Sequence, residues 1–406
     1  MKHTKNIFLI SSLILTTLNA HVGSPSPIKV FQPNGNEITI YVKGDHLHNW
    51  HDYNGWTIVK NNDWWVYALG NNGKDLIPSQ IKVDHTDNPN EINPNIAKGI
   101  KPEPYQLIDN SPIPNLQLTR SDTFRVPLIL VEFPDASAVY ESSQLDSMMN
   151  QQGYTHLNYD NTGSFRDFYH EVSYGQFLPI TDISRWFTAS NNHDYYGYNN
   201  GYQRVRQLVR DMVDSLEASG FNWSIYDNDG DGYVDALTLI HQGPGAEEGD
   251  QTNIWSHKWN LGNLAVSYDG VIIDSYNMNP EIQNGNIVAI GVLAHEFGHS
   301  LGLPDLYDTD YSSTGAGKLS LMASGSWGTS GNTPWYPSSM VGWIKNELGW
   351  VDIVEIDENQ TNVAVEQSYS SNIIYKVNHS QVEEEYWLIE NRQKIGSDTL
   401  ITTPGL

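Results

Sequence analysis

The hydrophobic pattern changes character along the chain, and this change predicts two structural units. Between residues 38 and 69, apolar and polar positions alternate in short runs separated by Asn-Gly and Asn-Asn pairs, which is typical of antiparallel strands joined by tight turns. Residues 85–118 are rich in Asn, Asp and Pro and have no period, which indicates a linker. We therefore predict a β-rich first unit with its linker over residues 21–118.

The second unit, residues 119–406, interleaves strand-like and helix-like segments. Residues 125–135 and 234–241 are continuous apolar runs that suit buried strands. Residues 163–176 and 202–216 instead carry apolar positions on one face of a helix. The interleaving predicts an α/β unit, in the broad α+β sense, in which a twisted sheet packs against two or more helices.

The first twenty residues have the composition of a secretory signal peptide. Lys2 and Lys5 precede an apolar run over residues 7–18, and Ala20 follows it. The run is too short to span a bilayer comfortably, and no later segment reaches that length. We expect residues 1–20 to direct secretion to the extracellular space, with no membrane insertion; an uncleaved amphipathic anchor is the alternative.

Charge and cysteine content narrow the possible chemistry. The 406 residues carry a formal net charge of −26, which argues against nucleic acid and anionic membranes as partners. The charge favours solubility and capture of Ca²⁺, and adaptation to salty surroundings would explain it equally well. The chain has no cysteine, so disulfides, a thiol nucleophile and thiolate metal sites are excluded.

The segment HEFGHSLGLPD carries the most chemical information. His295 and His299 are four residues apart, so on a helix both imidazoles can reach one ion. Glu296 lies between them in sequence and can accept a proton from water at that ion. Gly302 can adopt a positive φ, end the helix and return Asp305 to the ion. The spacing H-E-x-x-H-x-x-G-x-x-D is the metzincin pattern with aspartate in place of the usual third histidine.

Nitrogen and oxygen ligands with one open position predict Zn²⁺ and hydrolysis of an amide bond by activated water. Glu296 would act as general base and then protonate the leaving amine. Asp308 and Glu347 are alternative third ligands, but the spacing of Asp305 matches the predicted turn. Residues 271–278 are expected to form a strand beside the active-site helix, where an extended peptide could pair.

Met322 lies in the sequence LMASGSWG, where Ser and Gly predict a tight turn. In metzincins a methionine turn lies beneath the metal ligands, and we expect this role for Met322; an ordinary core methionine is the alternative. Some metzincin families carry a tyrosine two residues later, where this chain has Ser324. Tyr336 is a weak candidate for stabilising an oxyanion.

A second metal signal is the sequence DNDGDGYVD, which begins at residue 227. Its alternating carboxylates resemble the first part of an EF-hand loop, but the twelfth position is Thr238 rather than a bidentate glutamate. We expect a calcium loop with a different closure, and a solvated acidic turn is the alternative. The expected calcium ligands are Asp227, Asp229, Asp231 and Asp235.

Taken together, these segments resemble the immune inhibitor A-type bacterial metallopeptidases, secreted zinc enzymes that degrade proteins. The most specific similarities are GSFRDFYHEVSYGQ, DNDGDGYVDALTLIHQGPGAEEG, IWSHKW, HEFGHSLGLPDLYD and LMASGSWG. The resemblance implies zinc at His295, His299 and Asp305, Glu296 as base, calcium at the Asp227 loop, and protein or peptide substrates. The implied fold is a metzincin-like zinc peptidase domain with a twisted sheet and an active-site helix.

The resemblance also implies a zymogen, in which residues 21–118 form a small β-rich prosegment that inhibits the enzyme until it is removed. The sequence TRSD at residues 119–122 is a candidate processing site, and a linker that is never cut is the alternative. No cysteine can act as a latch, so the candidate latch groups are Asp45, His46, His48 and Asp52, which are otherwise solvated loop residues. Because the family pattern continues into further domains, we expect residues 119–406 to be a peptidase domain truncated at its C-terminal end.

Three functions follow, in order of preference. The first is a secreted zinc endopeptidase made as a zymogen. The second is a non-catalytic, calcium-dependent binding or adhesion module with a relic metal site, against which an intact Glu296 argues. The third is a zinc amidase that acts on cell-wall amides, which only its substrate would distinguish from the first.

Overall fold

The computed structural model describes residues 22–73, 75–103, 123–156, 158, 163–308, 312–356, 360–379, 382 and 385–406. The predicted signal peptide, the candidate processing site and the later part of the predicted linker lie outside these residues. Within them, no helix is both long enough and apolar enough to cross a membrane.

The N-terminal unit is a six-stranded antiparallel sheet whose strands are neighbours in chain order. Its strands are β1 (Ile28–Phe31), β2 (Glu37–Gly44), β3 (Asn49–Tyr53), β4 (Trp56–Asn61), β5 (Trp64–Asn71) and β6 (Leu76–Lys82). Asn54 and Gly55 join β3 to β4 with positive φ angles of 51° and 83°, as an Asn-Gly hairpin turn requires. In β2 the predicted alternation holds, because Ile38 and Ile40 are buried while their neighbours are more exposed. The antiparallel structure predicted from the alternating pattern is therefore present.

The second unit is built around a mixed sheet with helices on both faces. In chain order its elements are β7 (Thr123–Glu132), α1 (Ser142–Asn150), α2 (Phe165–Val172), β8 (Leu178–Thr188), α3 (Tyr202–Glu217), β9 (Leu237–Pro244), β10 (His257–Asn260), β11 (Val266–Tyr268), β12 (Val271–Ile273), β13 (Ser275–Gln283), β14 (Asn286–Ile287), α4 (Ile290–Ser300), α5 (Gly342–Glu347), β15 (Asp352–Glu355), β16 (Ile373–Asn378) and β17 (Tyr386–Ile389). The main sheet has the order β10-β13-β9-β7-β8, with β14 paired to β13. Strands β8, β7, β9 and β13 are parallel, and β10 is antiparallel at one edge.

Two hydrophobic cores cover the two faces of this sheet. One core contains apolar residues of α1, α2, α4 and α5, and the other contains the buried face of α3. Helix α2 begins at Phe165 because the Ser164 hydroxyl caps it by accepting a hydrogen bond from the Asp167 amide at 3.1 Å. Helix α3 buries the predicted apolar stripe, including Val205, Leu208 and Val209. The mixed α/β architecture predicted from the sequence is confirmed.

The strand predicted over residues 271–278 differs from expectation. The structure divides it into β12, which pairs with β11, and β13, which lies between β10 and β9. Both edges of β13 are therefore paired, and the prediction that an extended peptide could add to this strand is wrong. The prediction was wrong because an apolar run indicates that a strand is buried but does not indicate which strands lie beside it. The antiparallel edge strand on this side of the sheet is β10.

Candidate metal centre

Helix α4 is the element that positions the candidate metal ligands. All eleven of its residues are buried, so it has no solvent-facing side. The Tyr169 hydroxyl of α2 donates a hydrogen bond to the Ala294 carbonyl at 2.6 Å, and a Cβ at Gly291 would lie only 2.1 Å from the Ser326 carbonyl oxygen. Polar side chains inside so enclosed a helix are costly unless they are paired or hold an ion. The burial of His295, Glu296 and His299 therefore indicates a functional centre.

The helix ends in a glycine turn, as the sequence predicts. Gly302 has a φ of 85°, its amide donates to the His299 carbonyl at 3.0 Å, and the Leu303 amide donates to the Gly298 carbonyl at 3.1 Å. These two hydrogen bonds form a Schellman motif, which needs a left-handed residue at its centre. The turn reverses the chain and brings Asp305 back to the two histidines.

Three ligand atoms meet at this point. The Nε2 atoms of His295 and His299 are 3.1 Å apart, and Asp305 Oδ1 lies 3.2 Å from the first and 3.3 Å from the second. Ligands held at about 2.0–2.1 Å from one tetrahedral ion would be separated by roughly 3.3–3.4 Å, so the spacing fits Zn²⁺. The residues that are present therefore fit a metal ion with three protein ligands.

The Nδ1 atom of each imidazole lies within hydrogen-bond distance of a backbone carbonyl oxygen. His295 Nδ1 lies 2.9 Å from the Leu321 carbonyl oxygen, and His299 Nδ1 lies 2.8 Å from the Leu303 carbonyl oxygen. A carbonyl only accepts, so each Nδ1 must donate and each Nε2 keeps its lone pair. Such outer partners fix the tautomer and the ring orientation that a metal ligand needs.

The charges at the centre also suit a cation. Burial lowers the pKa of His299, which favours the neutral imidazole. Burial alone would raise the pKa of Asp305, but the net effect of the two neighbouring imidazoles holds it below its usual value. The directions of these two pKa shifts favour a neutral His299 imidazole and an ionised Asp305 carboxylate, the protonation states that metal ligation requires.

Met322 lies against the helix that carries the histidines. It is fully buried, and a Cβ added at Gly298 would sit 2.5 Å from the Met322 sulfur. The Met322 carbonyl accepts a hydrogen bond from the Leu306 amide at 2.6 Å, which ties its turn to the segment that follows Asp305. Gly298 lies between the two histidines in sequence, and the absence of its side chain lets the thioether approach.

The alternative third ligands lie elsewhere. Glu347 is exposed at the end of α5. Asp308 Oδ2 accepts hydrogen bonds from the Ser312 hydroxyl at 2.8 Å and the Ser313 amide at 2.7 Å. The structure thus brings Asp305, and neither of these two carboxylates, to the histidines.

The Asp227 loop forms a second cluster. One carboxylate oxygen from each of Asp227, Asp229 and Asp235 lies within 4.8 Å of the others, and Asp231 is outside this set. Asp231 is exposed, and its Oδ1 accepts a hydrogen bond from the Tyr233 amide at 2.8 Å. The predicted group of four carboxylates is therefore reduced to three.

Asp235 is the buried member of this cluster. Burial first, and the nearby carboxylates of Asp229 and Asp231 to a smaller extent, raise its pKa to about 7 against the opposing effect of hydrogen bonds from Asn228. One of those donors is the Asn228 amide, 2.6 Å from Asp235 Oδ2. The raised pKa therefore reflects mainly the burial of this carboxyl group, with a smaller contribution from the neighbouring negative charges.

The turn at residues 45–48, which joins β2 to β3, belongs to the N-terminal unit and contacts Tyr307, in the segment that follows Asp305. The Tyr307 hydroxyl lies 3.3 Å from Asp45 Oδ2, and the Tyr202 hydroxyl donates to the His46 carbonyl at 3.2 Å. Burial lowers the pKa of His46 well below its usual value, and the charges of His257, Asp305 and His299 also act on it. We refer to these residues as the 45–48 turn.

The other two candidate latch groups make contacts inside the N-terminal unit. His48 Nε2 lies 2.8 Å from the Pro102 carbonyl oxygen, and Asp52 Oδ1 accepts a hydrogen bond from the Gly55 amide at 3.1 Å. The roles of Tyr202 and Tyr307 at the turn were missed in the sequence. Tyr307 follows Asp305 closely in DLYD, but nothing in the sequence indicated its partner 262 residues away.

The chain can also be compared with known proteins, which supplements the geometry of the site. The model of the catalytic domain of the immune inhibitor A peptidases, family M6, matches residues 117–351, more than half of the chain. The chain belongs to the immune inhibitor A peptidase family. The matched region contains α4, Asp305, Met322 and the Asp227 loop.

Two relatives of this M6 chain come from different bacteria. The pre-pro-metalloprotease PrtV of Vibrio cholerae serotype O1 (strain M66-2) is 30% identical over 304 residues, which cover 60% of this chain and 32% of the relative. Immune inhibitor A of Bacillus thuringiensis subsp. alesti is 32% identical over 244 residues, which cover 50% of this chain and 35% of the relative. The matched part of the chain thus spans about a third of the length of these relatives.

Proposed function

We propose that this M6 chain is a secreted, zinc-dependent endopeptidase that is made as a zymogen. The observation that carries the proposal is the triangle of His295 Nε2, His299 Nε2 and Asp305 Oδ1, with sides of 3.1 to 3.3 Å, on and beside a fully buried helix that also carries Glu296. A metzincin-like arrangement, with Met322 as the base beneath the ligands, is part of the proposal.

In this proposal His295, His299 and Asp305 hold the zinc ion. When bound, the ion polarises the substrate carbonyl and increases the acidity of water. The Leu321 and Leu303 carbonyls keep both imidazoles oriented, so the ligands need little rearrangement when the ion arrives. The carboxylate of Asp305 supplies the negative charge that a purely imidazole site would lack.

Glu296 is the proposed general base. Its carboxylate accepts a proton from the attacking water, whose oxygen forms the new bond to the peptide carbonyl carbon. The same carboxyl then gives the proton to the leaving nitrogen as the carbon–nitrogen bond breaks. Because Glu296 is fully buried, its proton transfers occur in a dry environment, where electrostatic interactions are stronger than in water.

The remaining assignments concern export, latency and calcium. Residues 1–20 act as signal peptide, 21–118 as prosegment and 119–406 as peptidase domain. The name of the Vibrio relative, a pre-pro-metalloprotease, supports a leader and a prosegment here. Ca²⁺ at Asp227, Asp229 and Asp235 is supported by the convergence of their carboxylates. Substrates are proteins or peptides.

Replacement of Glu296 tests the proposal. The Glu296→Gln variant should retain one zinc per chain, while casein cleavage falls by about 10²- to 10⁴-fold, the contribution typical of a general base. Activity is measured after limited trypsin treatment, since trypsin cleaves after Arg120 in the candidate processing site. Glu347→Gln, at an exposed glutamate, is the matched control and should behave as wild type. Undiminished casein cleavage by Glu296→Gln would contradict the assigned base.

The substrate class needs its own comparison. The trypsin-treated chain is incubated with casein and, separately, with a purified cell-wall preparation, before and after chelation. The endopeptidase proposal expects chelator-sensitive cleavage of casein that zinc restores. Release of cell-wall fragments without casein cleavage would favour the amidase.

A further inference from the structure

The backbone of residues 319–321 carries the carbonyl that orients His295. The Leu321 carbonyl oxygen lies 2.9 Å from His295 Nδ1, and Leu321 is fully buried. His299 depends on a different segment, because its Nδ1 lies 2.8 Å from the Leu303 carbonyl oxygen in the glycine turn after α4. The groups that hold residues 319–321 in place therefore also set the direction of the His295 imidazole.

A buried ion pair between Arg392 and Asp398 holds the start of this segment. Both residues are only 6% exposed. Arg392 Nε donates to Asp398 Oδ2 at 2.8 Å and Nη2 donates to Oδ1, while Nη1 donates to the Leu319 carbonyl oxygen. The guanidinium thus places two nitrogens on the carboxylate and the third on the backbone, two residues before Leu321.

Asp398 is connected to the same segment by a second route. Its Oδ1 accepts a hydrogen bond from the Ser339 amide at 3.2 Å, and the Ser339 carbonyl accepts one from the Leu321 amide at 3.4 Å. The ion pair therefore acts on Leu321 in two ways: along the chain through Leu319, and between segments through Ser339.

The ion pair is itself held by the rest of the fold. The backbone of Arg392 exchanges two hydrogen bonds with that of Gly405, each at 2.8 Å. Next to Asp398, the Ser397 amide donates to Glu171 Oε1 on α2 at 2.7 Å. Because both partners are fixed in this way, they can support residues 319–321 rather than follow their movement.

The arrangement requires arginine rather than any cation at position 392. A guanidinium presents its donors in a planar fork, so it can bind both oxygens of Asp398 and the Leu319 carbonyl at the same time. A lysine ammonium is a compact charge and cannot reproduce this fork. Since the pair is buried, loss of one partner also leaves a charge without compensation, which disturbs the groups around it.

We propose that Arg392 and Asp398 are a positioning pair for His295: they hold residues 319–321, and the Leu321 carbonyl in turn directs the imidazole towards the metal. This inference rests on the proposed function, because it concerns a ligand of the same zinc centre. Both residues of the pair lie beyond residues 117–351, the region that the catalytic-domain model matches. The metal centre thus depends on a segment of the chain outside that region.

The test uses the full chain with Arg392→Lys, which keeps the positive charge but loses the fork. The matched control is Arg206→Lys, at another buried arginine that lies on α3, on the opposite face of the main sheet. Arg206 also donates to a backbone carbonyl, that of Leu261, and to Asn263 Oδ1 at 3.1 Å. The control therefore removes a comparable guanidinium contact away from residues 319–321.

Two quantities are measured. The first is the rate at which the Nδ1 protons of His295 and His299 exchange with solvent, observed by NMR in the ion-free chain labelled with ¹⁵N-histidine. The spectra of His295→Gln and His299→Gln assign the two signals. The second quantity is the rate of zinc transfer from the loaded chain to a chromophoric chelator.

In Arg392→Lys we expect the His295 Nδ1 proton to exchange at least about 10-fold faster than in the wild type, while the His299 proton changes by less than about 2-fold. Zinc transfer should also be at least about 10-fold faster, the effect typical of losing an outer partner of a metal ligand. All three rates should stay within about 2-fold of the wild type in Arg206→Lys.

Two results would overturn the positioning pair. Equal acceleration of both histidine protons in Arg392→Lys would show a general loosening of the fold, and wild-type rates would show that the pair gives no support. If Arg392→Lys does not fold, Asp398→Asn is measured with the same expectations, because it removes the ion pair but keeps an oxygen that can accept from the Ser339 amide.

The exchange measurement separates this proposal from the one on which it rests, because it needs neither zinc nor substrate. If the wild-type chain binds no zinc and cleaves no casein after trypsin treatment, the proposed function fails, and the exchange rates still decide whether the pair orients His295. If the wild type binds zinc and cleaves, but Arg392→Lys changes neither His295 exchange nor zinc transfer, only the positioning pair fails.

Discussion

In the metal-ligand segment, residues 295–305, the candidate ligand atoms lie 3.1 to 3.3 Å apart inside a buried helix and its turn. In the Asp227 loop, the carboxylates accept hydrogen bonds from the loop's own backbone, such as the Gly230 amide at 2.8 Å and the Gly232 amide at 3.1 Å from Asp227. The first geometry is fixed by groups outside the ligands, and the second largely by the loop itself. We therefore propose that an ion would enter a preformed site in the first case and would complete a local fold in the second.

Loss of a histidine ligand should have the largest effect and should separate the two sites. In His299→Ala, we expect zinc affinity to fall by more than about 10³-fold, because a buried ligand is lost and the orienting Leu303 carbonyl loses its donor. The rise in melting temperature on adding calcium should be unchanged. Isothermal titration with zinc measures the affinity, and thermal melts with and without calcium measure the change in melting temperature.

The control for this change is His156→Ala, at a buried histidine whose Nε2 lies 3.1 Å from the Ile287 carbonyl oxygen. It should retain zinc stoichiometry. A parallel loss of the calcium response in His299→Ala would show that the two sites are coupled and that the comparison fails.

A smaller effect is expected where Met322 supports the helix. In Gly298→Ala, the new Cβ would lie 2.5 Å from the Met322 sulfur, so the side chain or the helix must move. We expect the free energy of unfolding to fall by about 1–3 kcal/mol, as is typical of overpacking, with weaker zinc binding as a result. Chemical denaturation and zinc titration provide the two measurements.

A second substitution identifies the cause. Adding Met322→Ala to Gly298→Ala removes the clashing thioether, so the double variant should be more stable than the sum of the two single effects predicts. Strict additivity would mean that Met322 is not the residue that enforces glycine at position 298.

The smallest effect concerns the Asp227 loop and depends on pH. Asp235 has a pKa of about 7 in the fold, so without calcium the folded chain holds a proton there that the unfolded chain releases at about pH 4. The free energy of unfolding should therefore decline, through this group, as the pH rises from about 4 to 7. Calcium should reverse the decline, and its stabilising effect should be larger at pH 7.5 than at pH 4.5.

The Asp235→Asn side chain does not titrate. This variant should therefore lack both the pH-dependent decline in the free energy of unfolding and its increase on adding calcium. Asp146→Asn, at an exposed aspartate outside the loop, is the control. Thermal melts at the two pH values, with and without calcium, compare the variants. A calcium effect that persists in Asp235→Asn would place the ion elsewhere.

The sequence predicts the metal-ligand segment well because every relation in it is local. Helical periodicity places His295 and His299 on one face, and a glycine with positive φ returns Asp305. A tight turn around Met322 was also expected from its Ser and Gly neighbours, but its contact with Gly298 was not. Local chemistry likewise predicted the Asn-Gly turn between β3 and β4.

Relations across long stretches of sequence could not be predicted in this way. Neither the contact of Tyr307 with Asp45 nor the paired edges of β13 follow from periodicity, which specifies which face is buried but not what covers it. Asp231 was expected among the ligands because it alternates with Asp227 and Asp229, but the loop directs it towards solvent.

The glycine turn after α4 has a consequence for how the molecule assembles. The three proposed zinc ligands lie within ten positions of one another, so an ion that joins them closes only a short loop and removes little chain entropy from the unfolded state. The hydrogen bond between His295 and the Leu321 carbonyl spans 26 residues and closes a longer loop. On this basis zinc would be a poor cross-link for the whole fold, and an ion-free chain should already possess most of its tertiary structure.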